Sequence, residues 1–222
     1  MLLVFDLDDT LYLERDYVRS GFAAVSEHLA AAGIPGFLET AWDVFEAGAR
    51  GTIFNRALQA LGVPDAAERV AELVGVYRSH LPSIRLCDDV LPFLRDAARE
   101  HTLGLLSDGP VQSQRSKVEA LRIPHLDRVL LTDAFGQEWW KPSRLGFGRI
   151  SEGFIPHDCV YVADNPDKDF QAPLGLGWSC YRMRRPGGLH RSKPLPKELE
   201  RIPEISSLQD LSPLVAPPRE TR

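Results

Sequence analysis

The stretch VFDLDDT at residues 4–10 decides how this 222-residue chain folds. The apolar run Leu2–Phe5 predicts a short buried strand, and two carboxylates, Asp6 and Asp8, follow at its C-terminal end. In open α/β sheets, ligands bind at that end of the strands. Two acids so close together are costly to bury unless a cation neutralises them. The stretch therefore indicates a metal site, with a solvent-exposed acidic turn as the alternative.

Three later segments repeat this form, in which an apolar run is followed by polar residues. They are Leu103–Leu106 before Ser107, Val129–Leu131 before a loop that leads to Lys141, and Val160–Val162 before Asp164 and Asp169. From about residue 86 onward, helix-like and strand-like segments alternate, which is typical of a parallel sheet with helices on both faces. The sequence therefore predicts the α/β class, with a Rossmann-like, three-layer α/β/α core.

Composition and charge exclude several classes of protein. The net charge is −5, so we expect no nucleic-acid partner. The apolar runs are shorter than the ~20 residues of a membrane span, and no basic stretch precedes an apolar run at the N-terminus, so neither a membrane partner nor a signal peptide is expected. The three cysteines lie far apart and outside any metal-ligand spacing, which favours a reducing compartment and predicts a cytoplasmic protein.

Taken together and in order, the four motifs resemble those of the haloacid dehalogenase superfamily of phosphohydrolases. The resemblance covers residues 6–10, Ser107, Lys141 and the segment 164–169. It implies an enzyme that hydrolyses phosphomonoesters with Mg²⁺ as cofactor, through an aspartyl-phosphate intermediate. Members commonly have glycine where this chain has Ala163, which is a small departure.

The resemblance also implies the roles of the acidic residues. Asp6 would attack phosphorus, while Asp8 would protonate the leaving oxygen and then activate water. Mg²⁺ would be held by the Asp6 carboxylate, the Asp8 backbone carbonyl and Asp164, and Asp169 would orient a metal-bound water or Lys141. We expect crowding by the other carboxylates to raise the pKa of Asp8, an effect that the metal opposes.

The remaining motif residues would bind the phosphate. The Ser107 hydroxyl and the backbone amides of Asp108 and Gly109 would donate hydrogen bonds to phosphate oxygens. Lys141 would place a cation between the nucleophile and the phosphate. Because an inward carboxylate would repel phosphate, we expect the Asp108 side chain to face away. For Ser107 alone, a helix N-cap before Pro110 is an alternative interpretation that is compatible with this role.

Between residues 13 and 85, apolar residues recur at helical spacing in four segments. Four helices directly after the first strand resemble the C1-type helical cap of one branch of the superfamily, which selects the substrate. We therefore expect a catalytic core of residues 1–12 and 86–222 and a cap of residues 13–85. Arg50, Asn55 and Arg56 are candidate substrate contacts in the cap, with an ordinary helix surface as the favoured alternative.

The segment from residue 182 to 196 is rich in Arg, Gly and Pro and predicts a loop. Its arginines at positions 182, 184, 185 and 191 are interpreted as solvent-exposed, in preference to a role in binding an acidic substrate group. Residues 216–222 predict a frayed tail.

Asp8 decides between the reactions of the superfamily. Dehalogenases lack an acid at this position, so a phosphoryl group is the expected substrate. Phosphonate hydrolases use a cap lysine, and residues 13–85 contain none. The leading interpretation is a phosphatase for a small phosphorylated metabolite, with a sugar phosphate favoured, acting as a monomer or homodimer. A phosphosugar mutase, a nucleotide phosphatase and a non-catalytic binding module remain as alternatives.

Overall fold

The computed structural model describes residues 1–212, so the predicted tail at 216–222 lies outside the described residues. Six strands form one sheet in the order β3-β2-β1-β4-β5-β6, and every neighbouring pair is parallel. The strands are β1 (Leu2–Phe5), β2 (Thr102–Ser107), β3 (Arg128–Leu131), β4 (Cys159–Ala163), β5 (Ser179–Met183) and β6 (Glu204–Ile205). The predicted α/β class and parallel sheet are confirmed.

Eight α-helices accompany the sheet within the described residues. They are α1 (Glu14–Ala31), α2 (Phe37–Glu46), α3 (Ile53–Ala60), α4 (Ala67–Ser79), α5 (Val90–Ala97), α6 (Val111–Leu121), α7 (Arg144–Ile150) and α8 (Gln171–Gly175). None of these helices has the length and apolar character needed to cross a membrane.

The chain divides into two compact units. Among the described residues, one consists of residues 1–14 and 85–212, and the other of Arg15–Ile84. The smaller unit contains only helices, and its interior is aromatic: the Phe22 ring makes edge-on contacts with Phe37, Phe45 and Phe54. Such contacts are favourable because the positive edge of one ring meets the negative face of another.

Strand β1 is the centre of the larger unit. Its four residues are all apolar and buried, as expected for a strand with parallel neighbours on both sides and helices on both faces. On one face, Phe5 packs edge-on against Phe93 of α5. On the other, the Phe147 ring of α7 packs edge-on against Tyr161 of β4. Burial of these rings holds the helices on the sheet.

The register of the sheet brings the motif residues to one edge. Phe5 is paired with Leu105 on β2 and with Val162 on β4, so the residues that follow all three strands emerge side by side. Ser107 is paired in turn with Leu131, the last residue of β3. A local pattern of apolar runs followed by polar residues is thereby converted into a cluster of polar side chains.

Candidate active site

Asp6 and Lys141 form an ion pair at the C-terminal edge of the sheet. Lys141 Nζ lies 2.7 Å from Asp6 Oδ1, and both residues are buried. The same ammonium lies 2.8 Å from Asp169 Oδ1 and donates a 3.0 Å hydrogen bond to the Tyr161 hydroxyl. These partners raise the pKa of Lys141 well above its ordinary value against the opposing effect of burial, so the residue is a fixed cation.

Three buried carboxylates meet around that lysine. Asp6, Asp164 and Asp169 each offer an oxygen within 4.8 Å of the others. Burial raises the pKa of Asp6 to about 6, and the Lys141 charge keeps this increase smaller than burial alone would make it. Burial and then the charges of Asp169 and Asp6 raise the pKa of Asp164 well above its ordinary value.

One lysine cannot balance three carboxylates, so the group lacks positive charge. Oxygen donors at this spacing and net negative charge fit a hard divalent cation such as Mg²⁺. Asp169 is held for this arrangement by its second oxygen, which accepts a 2.8 Å hydrogen bond from the Asn165 N–H. The residues of the site therefore suit the cofactor that the sequence resemblance implies.

The Asp8 carboxylate does not join this group. It accepts a 2.7 Å hydrogen bond from Lys117 Nζ and a 3.2 Å bond from Gln114 Nε2, both on α6, and a further bond from the Tyr12 hydroxyl. Burial alone would raise the pKa of Asp8, but the Lys117 charge and these hydrogen bonds outweigh it and lower the pKa below its ordinary value. The expectation of a raised pKa is therefore wrong.

Ser107 ends β2 with a buried hydroxyl. Among residues 1–212, no group forms a hydrogen bond with Ser107 Oγ. Helix α6 is capped by Pro110 without a side-chain hydrogen bond, so Ser107 is not its N-cap. A buried hydroxyl without a protein partner is costly, and an oxygen of a bound ligand would satisfy it.

The Asp108 side chain links neighbouring loops. Its carboxylate accepts a 2.7 Å hydrogen bond from Thr132 Oγ1, a 3.2 Å bond from the Lys141 backbone N–H and a 3.2 Å bond from Lys168 Nζ. The next residue, Gly109, has φ +122, and a Cβ there would lie 2.7 Å from Gln114 Nε2, so only glycine fits. The link from Asp108 to the Lys141 loop was not predicted from the sequence.

Sequence reasoning missed the partners of Asp8. Gln114 and Lys117 are three apart on α6, which places them on the same face of the helix. That spacing was the available signal, although it does not say which acid the pair contacts. The sequence pattern predicts Tyr161, which is buried on β4, only as part of an apolar strand, and none of its neighbours in the chain indicates the contact with Lys141.

The arginine-rich segment differs from its predicted exposure. Arg182 is 1% exposed, pairs with Glu204 at 2.8 Å and donates to the backbone carbonyls of His190 and Lys193. Arg185 is buried as well, so the interpretation of a fully solvent-exposed loop is wrong for both. Glu204, which pairs with Arg182, and Asp89, which pairs with Arg185, lie outside this segment, so composition alone could not place the two arginines.

Two of the three candidate substrate contacts between residues 13 and 85 have partners within the smaller unit. Arg50 donates to the carbonyl oxygens of Phe45 and Ala49, and Asn55 donates a 3.1 Å hydrogen bond to Asp65. Arg56 is exposed. Their role in binding a substrate stays a prediction.

Similarity to characterised proteins agrees with this geometry. No protein-family model matches the chain. Human N-acylneuraminate-9-phosphatase is 29% identical over 140 residues, covering 62% of this chain and 54% of that protein. The glyceraldehyde 3-phosphate phosphatase of Methanocaldococcus jannaschii is 25% identical over 222 residues, with 96% of each chain covered. These relatives are phosphatases of the haloacid dehalogenase superfamily, whose motifs this chain resembles. The resemblance inferred from its motifs is thereby confirmed.

The fold of this chain is shared with solved structures. YfnB from Bacillus subtilis, assigned to the HAD hydrolases and bound to magnesium, superposes with a TM-score of 0.69 and 17% identity, over 97% of this chain and 98% of that one. At this identity the likeness shows the fold alone. The chain spans about half the length of the human phosphatase that it matches.

Proposed function

We propose that this chain is a Mg²⁺-dependent phosphomonoester hydrolase that acts on a small metabolite through an aspartyl-phosphate, with a sugar phosphate as the favoured substrate class. The observation that carries the proposal is the Asp6–Lys141 pair at 2.7 Å within a group of three buried carboxylates. A nucleophile, a fixed cation and a metal-binding group are the parts that phosphoryl transfer requires. The named relatives, which are phosphatases of small phosphorylated molecules, support the same activity.

Asp6 is the nucleophile in this proposal. One of its carboxylate oxygens forms a bond to phosphorus while the bond from phosphorus to the leaving oxygen breaks. The ion pair with Lys141 keeps Asp6 ionised and lessens its repulsion from the phosphate. Asp6, Asp164 and the Asp8 backbone carbonyl would hold Mg²⁺, which would supply further positive charge for the phosphoryl oxygens.

Asp8 moves the protons. It gives a proton to the leaving oxygen, and then takes one from the water that attacks the phosphorus of aspartyl-phosphate, which releases Asp6 and inorganic phosphate. In the structure its pKa is lowered by Lys117, so the resting group is an ionised carboxylate. A phosphate that binds nearby adds negative charge and raises this pKa, which favours the protonated form needed for the first step.

The phosphate itself contacts the residues that end β2. The buried Ser107 hydroxyl, which has no partner among the described residues, donates to a phosphate oxygen together with the amides of Asp108 and Gly109. Asp108 keeps its charge away from the phosphate through its bonds to Thr132 and Lys168.

We further propose that residues 13–85 are a helical cap of the C1 type that selects the substrate. The compact all-helical unit of Arg15–Ile84 supports this assignment. The cytoplasmic location, the absence of a nucleic-acid partner and the monomeric or homodimeric state stay predictions.

The test is phosphate release from a panel of sugar phosphates, nucleoside monophosphates and short-chain phosphates, with Mg²⁺ or with EDTA. Asp6→Asn is the inactivating variant, and Asp88→Asn, whose side chain is 96% exposed, is the matched control. We expect Mg²⁺-dependent turnover that Asp6→Asn abolishes and Asp88→Asn retains. Turnover only of nucleotides would replace the sugar-phosphate assignment. Turnover only with a bisphosphate activator would indicate a mutase, and no turnover at all would indicate a binding module.

A further inference from the structure

We propose that Arg185 is a positioning residue that fixes the backbone of the loop 6–10, through the carbonyl oxygen of Thr10. The inference rests on the proposed function only in treating this loop as the catalytic one. Arg185 lies in the arginine-rich segment after β5, 175 residues away from Thr10 in the chain. Nothing in the reaction requires it to contact the substrate.

The guanidinium of Arg185 donates two hydrogen bonds to a single carbonyl oxygen. Nε lies 2.9 Å and Nη2 lies 2.8 Å from the Thr10 oxygen, so two N–H groups of one planar fork converge on it. The side chain is buried, which removes competition from water and makes both bonds stronger than they would be at the surface. Thr10 is the last residue of the loop that begins at Asp6, so these two hydrogen bonds hold the end of the loop opposite the nucleophile.

Asp89 orients the other side of the guanidinium. It lies 2.6 Å from Arg185 Nη1 and neutralises the buried charge. The second Asp89 oxygen accepts a 2.9 Å hydrogen bond from Ser207 Oγ and a 2.6 Å bond from the Leu208 N–H. Arg185 therefore cannot rotate away from Thr10 without breaking a partly buried ion pair whose carboxylate is itself held in place.

A second contact joins the same two segments. The Leu189 N–H donates a 2.7 Å hydrogen bond to Asp9 Oδ2, while Asp9 Oδ1 accepts a 2.9 Å bond from the Glu14 N–H. Asp9 has φ 51, a left-handed conformation that is unfavourable for most residues other than glycine and is maintained here by these bonds. A Cβ at Gly188 would lie 3.4 Å from Asp9 Cγ, which shows how closely the segments approach.

Lysine cannot replace arginine in this arrangement. Its ammonium retains the charge for Asp89, but it lacks the planar fork that places two donors on one oxygen. Arg185→Lys therefore keeps the charge balance while weakening the hydrogen bonding to the Thr10 carbonyl. Arg184→Lys is the matched control, because Arg184 is the preceding residue and its half-exposed guanidinium bonds, among residues 1–212, to Glu204 and the Arg191 carbonyl and not to the loop 6–10.

The experiment measures amide hydrogen exchange in the metal-free protein, together with Mg²⁺ affinity and steady-state kinetics. The reporters are the amides of Thr10 and Leu11, which both donate to the Leu7 carbonyl within the loop. In Arg185→Lys we expect these two amides to exchange about tenfold faster, the change expected for losing one charged hydrogen bond. We expect Mg²⁺ affinity and kcat to fall about tenfold with KM little changed, as for other residues that orient a site from behind. Arg184→Lys is expected to change none of these.

Two results would overturn the assignment. One is unchanged exchange at Thr10 and Leu11 in Arg185→Lys. The other is faster exchange throughout the sheet, which would make Arg185 a general stabilising residue. If Arg185→Lys does not fold, Ser207→Ala serves instead, because it removes one hydrogen bond from Asp89 and is expected to give a smaller increase in the exchange of the same two amides. Unchanged exchange in Ser207→Ala would then refute the role of Arg185. If the unaltered protein hydrolyses no phosphoester, the proposed function fails, whereas exchange and Mg²⁺ binding still decide the role of Arg185.

Discussion

Replacing Lys117 with methionine tests whether this lysine sets the protonation state of Asp8. The substitution keeps an unbranched side chain that is one atom shorter and removes its charge. Lys117 Nζ lies 2.7 Å from Asp8 Oδ1, and the two side chains are 6% and 19% exposed. We expect the variant to leave Asp8 in a buried position where Tyr12 and Gln114 remain as its hydrogen-bond donors.

The size of the effect follows from the geometry. Two unit charges 2.7 Å apart attract each other by about 6 kcal/mol at an effective dielectric constant of ~20. The cost of removing both charges from water takes back part of this energy. Deleting one partner of such a buried pair lowers the free energy of unfolding by about 3–5 kcal/mol. Because Tyr12 and Gln114 still stabilise the carboxylate, we expect a loss near the lower end, ~3 kcal/mol.

The pH dependence of this loss has a definite sign. In the unaltered protein the folded-state pKa of Asp8 is lowered, so its contribution to stability is present above the unfolded pKa and disappears as the pH falls through the folded value. In Lys117→Met, burial without the lysine raises the folded-state pKa, so Asp8 destabilises the variant increasingly as the pH rises. The stability difference between the two proteins therefore widens with pH, by about 1 kcal/mol between pH 5 and pH 8.

The assay is urea unfolding of both proteins in EDTA at these two pH values. Arg115→Met, on the exposed side of the same helix α6, is the matched control and is expected to change stability by less than ~0.5 kcal/mol. The reasoning is refuted by a Lys117→Met loss that is equal at pH 5 and pH 8, or by an equal loss in Arg115→Met.

Three further results are expected. Mg²⁺ affinity should increase as the pH rises through about 6, because the cation must displace the proton from Asp6. Titration calorimetry that finds the same affinity at pH 5 and pH 7.5 would contradict this. Ser107→Ala should lower kcat/KM about tenfold or more without lowering the melting temperature, because the buried Ser107 hydroxyl has no partner among the described residues. A clear loss of stability in calorimetry would count against this. Thr132→Val removes the donor to Asp108 and should lower the free energy of unfolding by ~1 kcal/mol and reduce kcat, whereas Thr132→Ser should keep the stability and kcat of the unaltered protein. Equal behaviour of the two variants would disprove the role of the hydroxyl.

The sequence by itself determined the fold class and the residues of the candidate site. An apolar run such as Leu2–Phe5 is a local pattern, and its burial in a parallel sheet follows from the runs like it farther along the chain. Polar residues that follow such runs must meet at one edge of the sheet, so the convergence of Asp6, Asp164 and Asp169 was predictable before any distance was known.

Only the tertiary structure decided which partner each charge has. Asp8 pairs with Lys117, which is 109 residues away, and this contact reverses the direction of its pKa shift from the one expected by crowding among acids. Arg185 reaches Thr10 across 175 residues, although its neighbours in the chain suggested an exposed loop. The physical reason is the same in both cases. Local periodicity reports whether a backbone segment is buried, whereas the pKa and the partner of a buried charge depend on groups that only the folded chain brings within 3 Å.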